Sequence, residues 1–175
     1  MSEDQPFNGG TSDLFDRDPG HVRVVDLQFR RFGLNTRFHG RCVPLWSAGS
    51  HQPVLAVLSM DGRGRVLVVD GGGDLTIGLM GDRLAGIAIQ NGWAGIVING
   101  AIRDSAQIDG MAIGVRAMGT TARRSLAEPP APPAGPVRFG GVVFTPDDWI
   151  CADEDAVVVS AADPAQGGFA GDGSA

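Results

Sequence analysis

Residues 80–104 run MGDRLAGIAIQNGWAGIVINGAIRD, and they read as one helix followed by one buried strand, with charge at both ends. Asp82 stands where a helix begins, behind Gly81. Leu84, Ile87 and Ala88 then recur at helical spacing, and Gly92 is the stop. Residues 94–98 are a short apolar run rich in branched side chains, the pattern of a strand covered on both faces. Asn99-Gly100 reads as a turn, and Arg103 and Asp104 follow side by side. Open α/β sheets bind ligands beyond the carboxyl ends of strands and at the amino ends of helices. Asp82, Arg103 and Asp104 are therefore expected to converge on one edge.

The alternation continues on both sides of this unit. Residues 66–69 form an uninterrupted apolar strand that runs into Asp70-Gly71-Gly72-Gly73-Asp74. Before it, Ser50-His51-Gln52-Pro53 opens a helix with Val54, Leu55, Val57 and Leu58 on its apolar face. Residues 22–27 and 41–45 read as earlier strands, and Thr11-Ser12-Asp13 caps a short helix through Asp18. After Asp104 come a helical turn at 106–108, a strand at 113–118 and a proline-rich loop over 119–136. Residues 137–144 form a hairpin turning at Gly140-Gly141, and 149–152 and 157–159 are late strands. The expected organisation is a disordered segment over 1–12, a single domain over 13–160 and a flexible tail over 161–175. The expected fold class is α/β: a mixed central sheet with helices on one side and a second β layer on the other.

The chain of 175 residues is 43% hydrophobic and carries a net charge of −6. No basic run exceeds two residues, so direct nucleic-acid binding is not expected. An acidic surface suits a basic protein partner instead. No apolar stretch reaches the roughly 18 residues of a membrane span. Residues 1–10 are acidic and polar and do not read as a secretory signal; a reducing cytoplasm, which suits two unpaired thiols, is the expected location. Cys42 and Cys151 are far apart, form no CxxC and read as buried free thiols. All 14 basic residues are arginine. Without lysine the chain has no Schiff-base chemistry on a protein amine, no pyridoxal-phosphate linkage and no Walker P-loop. Without tyrosine it has no phenol to act as acid or base.

Several constellations invite chemistry, and most have a plainer explanation. Asp70 to Asp74 with its three glycines could cradle a nucleotide or adenosylmethionine, but the next strand places Asn99 where a ribose usually meets an acid. His21, His39 and His51 lack zinc-site spacing and read as surface or capping residues. Ser105 and Ser125 have no paired histidine for a nucleophilic triad. Asp153-Glu154-Asp155 is read as a solvated turn rather than a metal site. Phe29, Phe32 and Phe38, interleaved with Arg30, Arg31 and Arg37, are core or subunit contacts rather than an RNA-stacking face. Asp82 taken alone is a helix cap, and Arg103 alone a structural ion pair. Brought to one edge, they match a magnesium-assisted reaction of a 2-keto acid. Mg²⁺ takes one or two carboxylates and keeps its waters, a guanidinium supplies fixed donors to an enolate oxygen, and the amides of Arg83 and Leu84 at the helix start suit a carboxylate.

Gly81-Asp82 through Arg103-Asp104 resembles the RraA-like family, which is named for a regulator of ribonuclease E activity and also contains 4-hydroxy-4-methyl-2-oxoglutarate aldolases. Asp82, Arg103 and Asp104 meet its Asp-x20-Arg-Asp signature. The likeness extends through Asp26-Leu27-Gln28-Phe29-Arg30, residues 66–73, Gly92-Trp93-Ala94-Gly95, Ala117-Met118-Gly119-Thr120 and Phe139-Gly140-Gly141-Val142. It implies a swivelling β/β/α-type fold assembled as a homotrimer. It also implies cleavage of 4-carboxy-2-keto acids to pyruvate and decarboxylation of oxaloacetate, with Mg²⁺ or Mn²⁺ as cofactor. Carried onto this chain, Asp104 is the metal ligand, Arg103 contacts the keto oxygen and stabilises the enolate, and Asp82 holds metal-bound water. The Arg83 and Leu84 amides hold the substrate carboxylate, and residues 78–81, including Gly81, form the adjoining wall. The family's basic loop after Gly119-Thr120 carries a Pro and a Lys, whereas here it is Thr121-Ala122-Arg123-Arg124-Ser125 with a proline-rich extension, and a glycine before the last strand is Ala156. A glutamate that longer aldolases borrow from a neighbouring subunit has no clear counterpart. The other reading the resemblance implies is a regulator that binds and inhibits a ribonuclease E-type nuclease.

Overall fold

A computed structural model describes residues 9–126, 128, 135–167 and 172. Its spine is four parallel strands: β3 (Phe38–Trp46), β4 (Val66–Asp70), β5 (Gly95–Ile102) and β6 (Gly114–Thr120), in that spatial order. Each crossover carries a helix: α2 (Gln52–Leu58), α3 (Asp82–Gln90) and α4 (Ser105–Ile108). Antiparallel strands extend both edges. Beyond β3 lie β9 (Trp149–Ala152), β10 (Val157–Ser160) and the short β1 (Arg23–Val24); beyond β6 lies β2 (Arg30–Phe32). A separate hairpin, β7 (Val137–Phe139) and β8 (Val142–Phe144), forms the second β layer.

The central strands are apolar throughout because both faces are covered. Along β4, Leu67 and Val69 pack with Val54, Leu58, Leu84 and Ala88 beneath the helices. Val66 and Val68 point the other way, into a second core with Phe139, Phe144 and Ile150. Phe38 reaches across the bases of β5 and β6, and its ring lies within 2.2 Å of where a Cβ would stand at Gly95 or at Gly114. Cys42 and Cys151 are free and buried, and burial raises both thiol pKa values. No described helix is long and apolar enough to cross a membrane.

Three local readings change. Asn99-Gly100 is not a turn. The strand continues to Ile102, with its register against β6 shifted between Ile98 and Ala101. The Asn99 carbonyl there accepts the N–H groups of Gly71 and Gly73, and its side-chain amide donates to Asp70. The strand expected over 22–27 shrinks to Arg23–Val24, because the Asp26 N–H turns aside to donate to the Gly140 carbonyl of the hairpin. The Arg-Arg-Phe stretch at 30–32 is an edge strand whose single buried side chain, Phe32, gives too little alternation to read. Phe32 and Phe38 are core residues, as the sequence suggested.

The N-terminal helix α1 (Thr11–Arg17) is tied down by a buried carboxylate. Asp153 accepts the Thr11 N–H (2.6 Å) and hydroxyl (2.8 Å) and the N–H groups of Asp155 and Ala156. Arg116, 2% exposed, braces the same corner by donating to the carbonyls of Asp153 and Thr36. The Asp153-Glu154-Asp155 turn is thus part buried anchor rather than wholly solvated. Residues 1–8 of the expected N-terminal disordered segment lie outside the described residues, as do 168–171 and 173–175 of the expected tail.

Burial opposes ionisation of Asp153, but its hydrogen bonds outweigh that effect and hold the carboxyl below its usual 3.8. The stabilisation is complete above that value and is lost as pH falls through the lower folded-state pKa. Asp153→Asn is expected to destabilise the protein by about 1–3 kcal/mol at neutral pH and to weaken the acid limb of its stability profile, measured by denaturant unfolding between pH 2 and 7.

Candidate active site

All four parallel strands end on one edge, and each sends a segment toward the same cleft. After β4 the chain crosses to lie beside the end of β5. Gly78 bridges Ala101 in parallel register, the Leu79 N–H donates to the Ala101 carbonyl (2.9 Å), and the Arg103 N–H donates to that of Met80 (2.9 Å). This short added rung places Gly81, the residue before α3, directly against Arg103 and Asp104.

The approach is close at both glycines of the rung. A Cβ at Gly81 would stand 2.4 Å from Asp104 Oδ2, and one at Gly78 would stand 3.2 Å from Arg103 Cγ. The two glycines therefore admit the arginine stem and the carboxylate that follow β5. Asp104 itself has φ 54° and ψ 37°, a left-handed conformation uncommon outside glycine, and its side chain caps no helix. Arg103 Nε lies 3.4 Å from Asp104 Oδ2, with the two side chains 35% and 34% exposed. At that exposure the pair contributes little to stability, and both groups still open on solvent and ligand.

Gly81 is the helix cap and Asp82 the first helical residue. Asp82 is exposed, and its Oδ1 accepts the Arg83 N–H at 2.7 Å. The Arg83 amide, expected to bind substrate, is thus engaged by Asp82. The Leu84 N–H belongs to the first turn, where helix geometry provides no acceptor within the helix.

The cleft holds about 120 Å³. It is walled by Gly78, Met80 and Gly81, by Asp82, Arg83 and Leu84 of α3, and by Arg103 and Asp104. Every residue named from the sequence as a site residue lines it except Leu79 of the expected wall, which is buried in the core. So do two that were not: His51 and Arg124. His51 was read as a surface or capping group, and it does occupy the position before α2, but its ring makes no capping bond and turns into the cleft. Burial, then the charges of Arg124, Arg103 and Arg83, lower its pKa, so the imidazole is neutral at neutral pH. The basic loop after Gly119-Thr120 was a signal for Arg124, whereas His51 is brought to the site only by the end of β3 meeting the end of β5. Arg103 and Asp104 also line a shallower basin of about 520 Å³ with α4 and residues 120–122.

Among the described residues no three histidines, cysteines or acids gather as metal ligands. A fully protein-caged metal does not fit. A hard, hydrated cation that needs one or two carboxylates does fit, because the Gly81 recess holds the Asp104 carboxylate in the cleft with Asp82 at the same wall.

Fold and cleft define a mixed α/β domain whose parallel strands converge on a small cleft, an arginine–aspartate pair set against a helix start. The chain belongs to the RraA-like family: residues 11–159 match the family described as RraA-like, Aldolase/RraA. A relative from Dechloromonas aromatica with the provisional name 4-hydroxy-4-methyl-2-oxoglutarate aldolase is 45% identical over 149 residues, covering 85% of this chain and 91% of its own. A solved structure from Geobacillus kaustophilus, described as an S-adenosylmethionine:2-dimethylmenaquinone methyltransferase, superposes with a TM-score of 0.85 at 38% identity, over 90% of this chain and 98% of that one. The RNA-processing inhibitor RraA from Thermus thermophilus superposes with a TM-score of 0.84 at 35% identity, over 90% and 95%. The large mixed sheet, small second sheet and helices are the fold these neighbours share.

Asp104→Gly relieves the left-handed strain and breaks only a screened ion pair. It is expected to leave stability unchanged or to raise it by up to about 1 kcal/mol, read from denaturant midpoints. Gly81→Ala places a methyl where the Asp104 carboxylate lies; that carboxylate ends a one-third-exposed side chain and can turn away, so the substitution is expected to cost no more than about 1 kcal/mol.

Proposed function

We propose that the chain is a divalent-metal-dependent lyase of 2-keto acids, acting as a 4-hydroxy-4-methyl-2-oxoglutarate aldolase, an oxaloacetate decarboxylase or both, and working as a homotrimer. The observation that carries this reading is the packing of Arg103 and Asp104 against the start of α3 in a single cleft. The provisional aldolase names of relatives at 39–45% identity support it.

Both reactions break the C3–C4 bond of a 2-keto acid and leave its electron pair on the C2–C3 unit as the enolate of pyruvate. Decarboxylation releases C4 as carbon dioxide, whereas aldol cleavage releases it as a carbonyl compound after loss of the C4 hydroxyl proton. In either case a proton then returns to C3. With no lysine in the chain, no protein iminium can accept the electron pair. The oxyanion must be stabilised electrostatically. The Arg103 guanidinium supplies fixed donors toward the C2 oxygen, held in place because its stem lies along Gly78. The first turn of α3, through the Leu84 N–H, receives the C1 carboxylate. Asp104, with Asp82 in support, would hold Mg²⁺ or Mn²⁺, which supplies Lewis acidity at the keto oxygen when bound.

The Thermus relative's name supports a second reading, in which the acidic protein binds the basic RNA-binding or scaffold region of a ribonuclease E-type enzyme and inhibits it. The two readings use different surfaces and are compatible. A methyltransferase reading finds less support: the Gly71–Gly73 loop is bonded to the Asn99 carbonyl and to the Asp70 carboxylate rather than left open for a cofactor.

Arg103→Ala is expected to lower pyruvate formation from oxaloacetate by about 10²–10³-fold, and excess chelator to abolish it until Mg²⁺ or Mn²⁺ is restored. Unchanged turnover in either test rejects the lyase reading. Nuclease binding, if it occurs, should weaken with salt and survive Arg103→Ala, as read by calorimetric titration against the purified nuclease.

A further inference from the structure

The large sheet ends on β1 at one edge and β2 at the other, and residues 25–29 run between them. The sheet curls far enough for its two sides to meet. The Val25 N–H donates to the Val157 carbonyl of β10 (3.0 Å), and Arg116 of β6, the strand beside β2, donates to the Asp153 carbonyl of the β9–β10 turn (2.8 Å). A polar cavity of about 80 Å³ lies in this seam, room for several waters. Leu27, Gln28 and Phe29 wall it together with the 153–157 turn, and Arg31 and Arg116 line it too. None of these residues lines the cleft at the strand ends.

The two arginines are direct partners in the antiparallel pairing of β2 with β6. Side chains opposed in this way share a face, with Cβ atoms about 5 Å apart, and like charges so placed repel. Arg31 is exposed, whereas Arg116 is 2% exposed. Among the described residues neither forms an ion pair. Burial, and next the charge of Arg31, lower the Arg116 pKa to about 10. The acids of the turn are engaged elsewhere or lie outside. Both Asp153 oxygens accept from Thr11 or from the N–H groups of Asp155 and Ala156. Glu154 is exposed, accepts the Thr36 hydroxyl and lies 3.9 Å from Arg37 Nε; Asp155 is exposed as well.

Arg116 is nevertheless fixed in place. Its guanidinium donates to the carbonyls of Val115, Thr36 and Asp153 and sits 5.3 Å from the centre of the Phe38 ring. A guanidinium has five N–H donors, so two of these have no acceptor among the described residues. Carbonyls satisfy donors without neutralising the charge, and a buried charge left without a counter-charge is costly. The ligand that fits a guanidinium fork is a carboxylate or a phosphate.

We propose that the seam binds a small oxyanion, a phosphate or carboxylate group held between Arg31 and Arg116, which turns their repulsion into a bridge and fastens β2 to the sheet. The site stands apart from the cleft and does not depend on the lyase reading.

The test is calorimetric titration of the full chain at constant ionic strength, with inorganic phosphate in one arm and acetate in the other. The wild type is expected to bind at least one of them saturably, and the tighter of the two identifies the group. Arg31→Ala should weaken that binding by about ten- to a hundredfold, and Arg31→Lys should keep part of it, because the charge remains and the fork is lost. Arg103→Ala, which removes the guanidinium of the cleft, should leave it in place. Arg116 also braces the corner under α1, so its removal costs the fold as well as the site. Arg31→Glu avoids that difficulty. It sets a carboxylate opposite Arg116 and should abolish anion binding while raising the denaturant midpoint above that of the wild type in buffer free of phosphate and acetate. Saturable binding of neither probe, binding kept in Arg31→Ala but lost in Arg103→Ala, or an Arg31→Glu midpoint below the wild type overturns the proposal.

Discussion

The Asp104 carboxylate occupies the space that a side chain at position 81 would need. The absence of a side chain at Gly81 lets the end of β5 lie against the start of α3, and the cleft forms around that contact. Backbone pairing alone, from Gly78 to Ala101 and from Arg103 to Met80, would bring the two segments side by side. The missing side chains convert that neighbourly pairing into contact between functional groups. The strained conformation of Asp104 is part of the same arrangement, since the left-handed bend aims its side chain back at the rung rather than out along the helix it precedes. Such strain persists only where surrounding structure over-determines it. Here the backbone bonds on both sides of the pair do so.

The rigidity behind that contact comes from the two-faced sheet. β4 and β5 are buried on both sides, by helices on one face and the β7–β8 hairpin on the other. A parallel sheet with both faces covered has little freedom to shift, so the carboxyl ends of its strands are fixed relative to one another. Side chains placed there inherit that precision without a dedicated scaffold. The chain is free to vary the segments beyond the strand ends, and the residues at 51 and 124 lie in such segments.

The parts legible in the sequence are those that local pattern controls. Helix α3, strand β5 and the order of elements follow from periodicity over 80–104, and the Asp82, Arg103 and Asp104 constellation follows from where that unit begins and ends. What pattern cannot carry is strand-to-strand geometry. Asn99-Gly100 has the composition of a turn, yet it lies within a strand because Asp70 and the following glycines supply tertiary hydrogen bonds to it. Arg116 has the composition of a surface residue, yet it is buried because three backbone carbonyls and the Phe38 ring surround its guanidinium. His51 and Arg124 are 73 positions apart, and only the spatial order β3-β4-β5-β6 makes them neighbours of one cavity.

On the proposed reading an acidic protein takes up acidic substrates, an electrostatic conflict that the cleft resolves by locality. A net charge of −6 spread over the surface is screened beyond about 8 Å at physiological ionic strength. A ligand inside the cleft therefore responds to the three arginines there rather than to the whole molecule. That all of these are arginine has consequences as well. A lysine at the same places would be a mobile point charge whose protonation shifts on burial, whereas a guanidinium stays charged and presents its donors in a fixed plane. The chain gives up covalent catalysis through an amine and retains a set of permanent, oriented cations. For a reaction whose difficulty is charge developing on one oxygen, fixed positive charge near that oxygen is the property that matters. Burial, reinforced by these cations, also lowers the pKa of His51 in the same cleft.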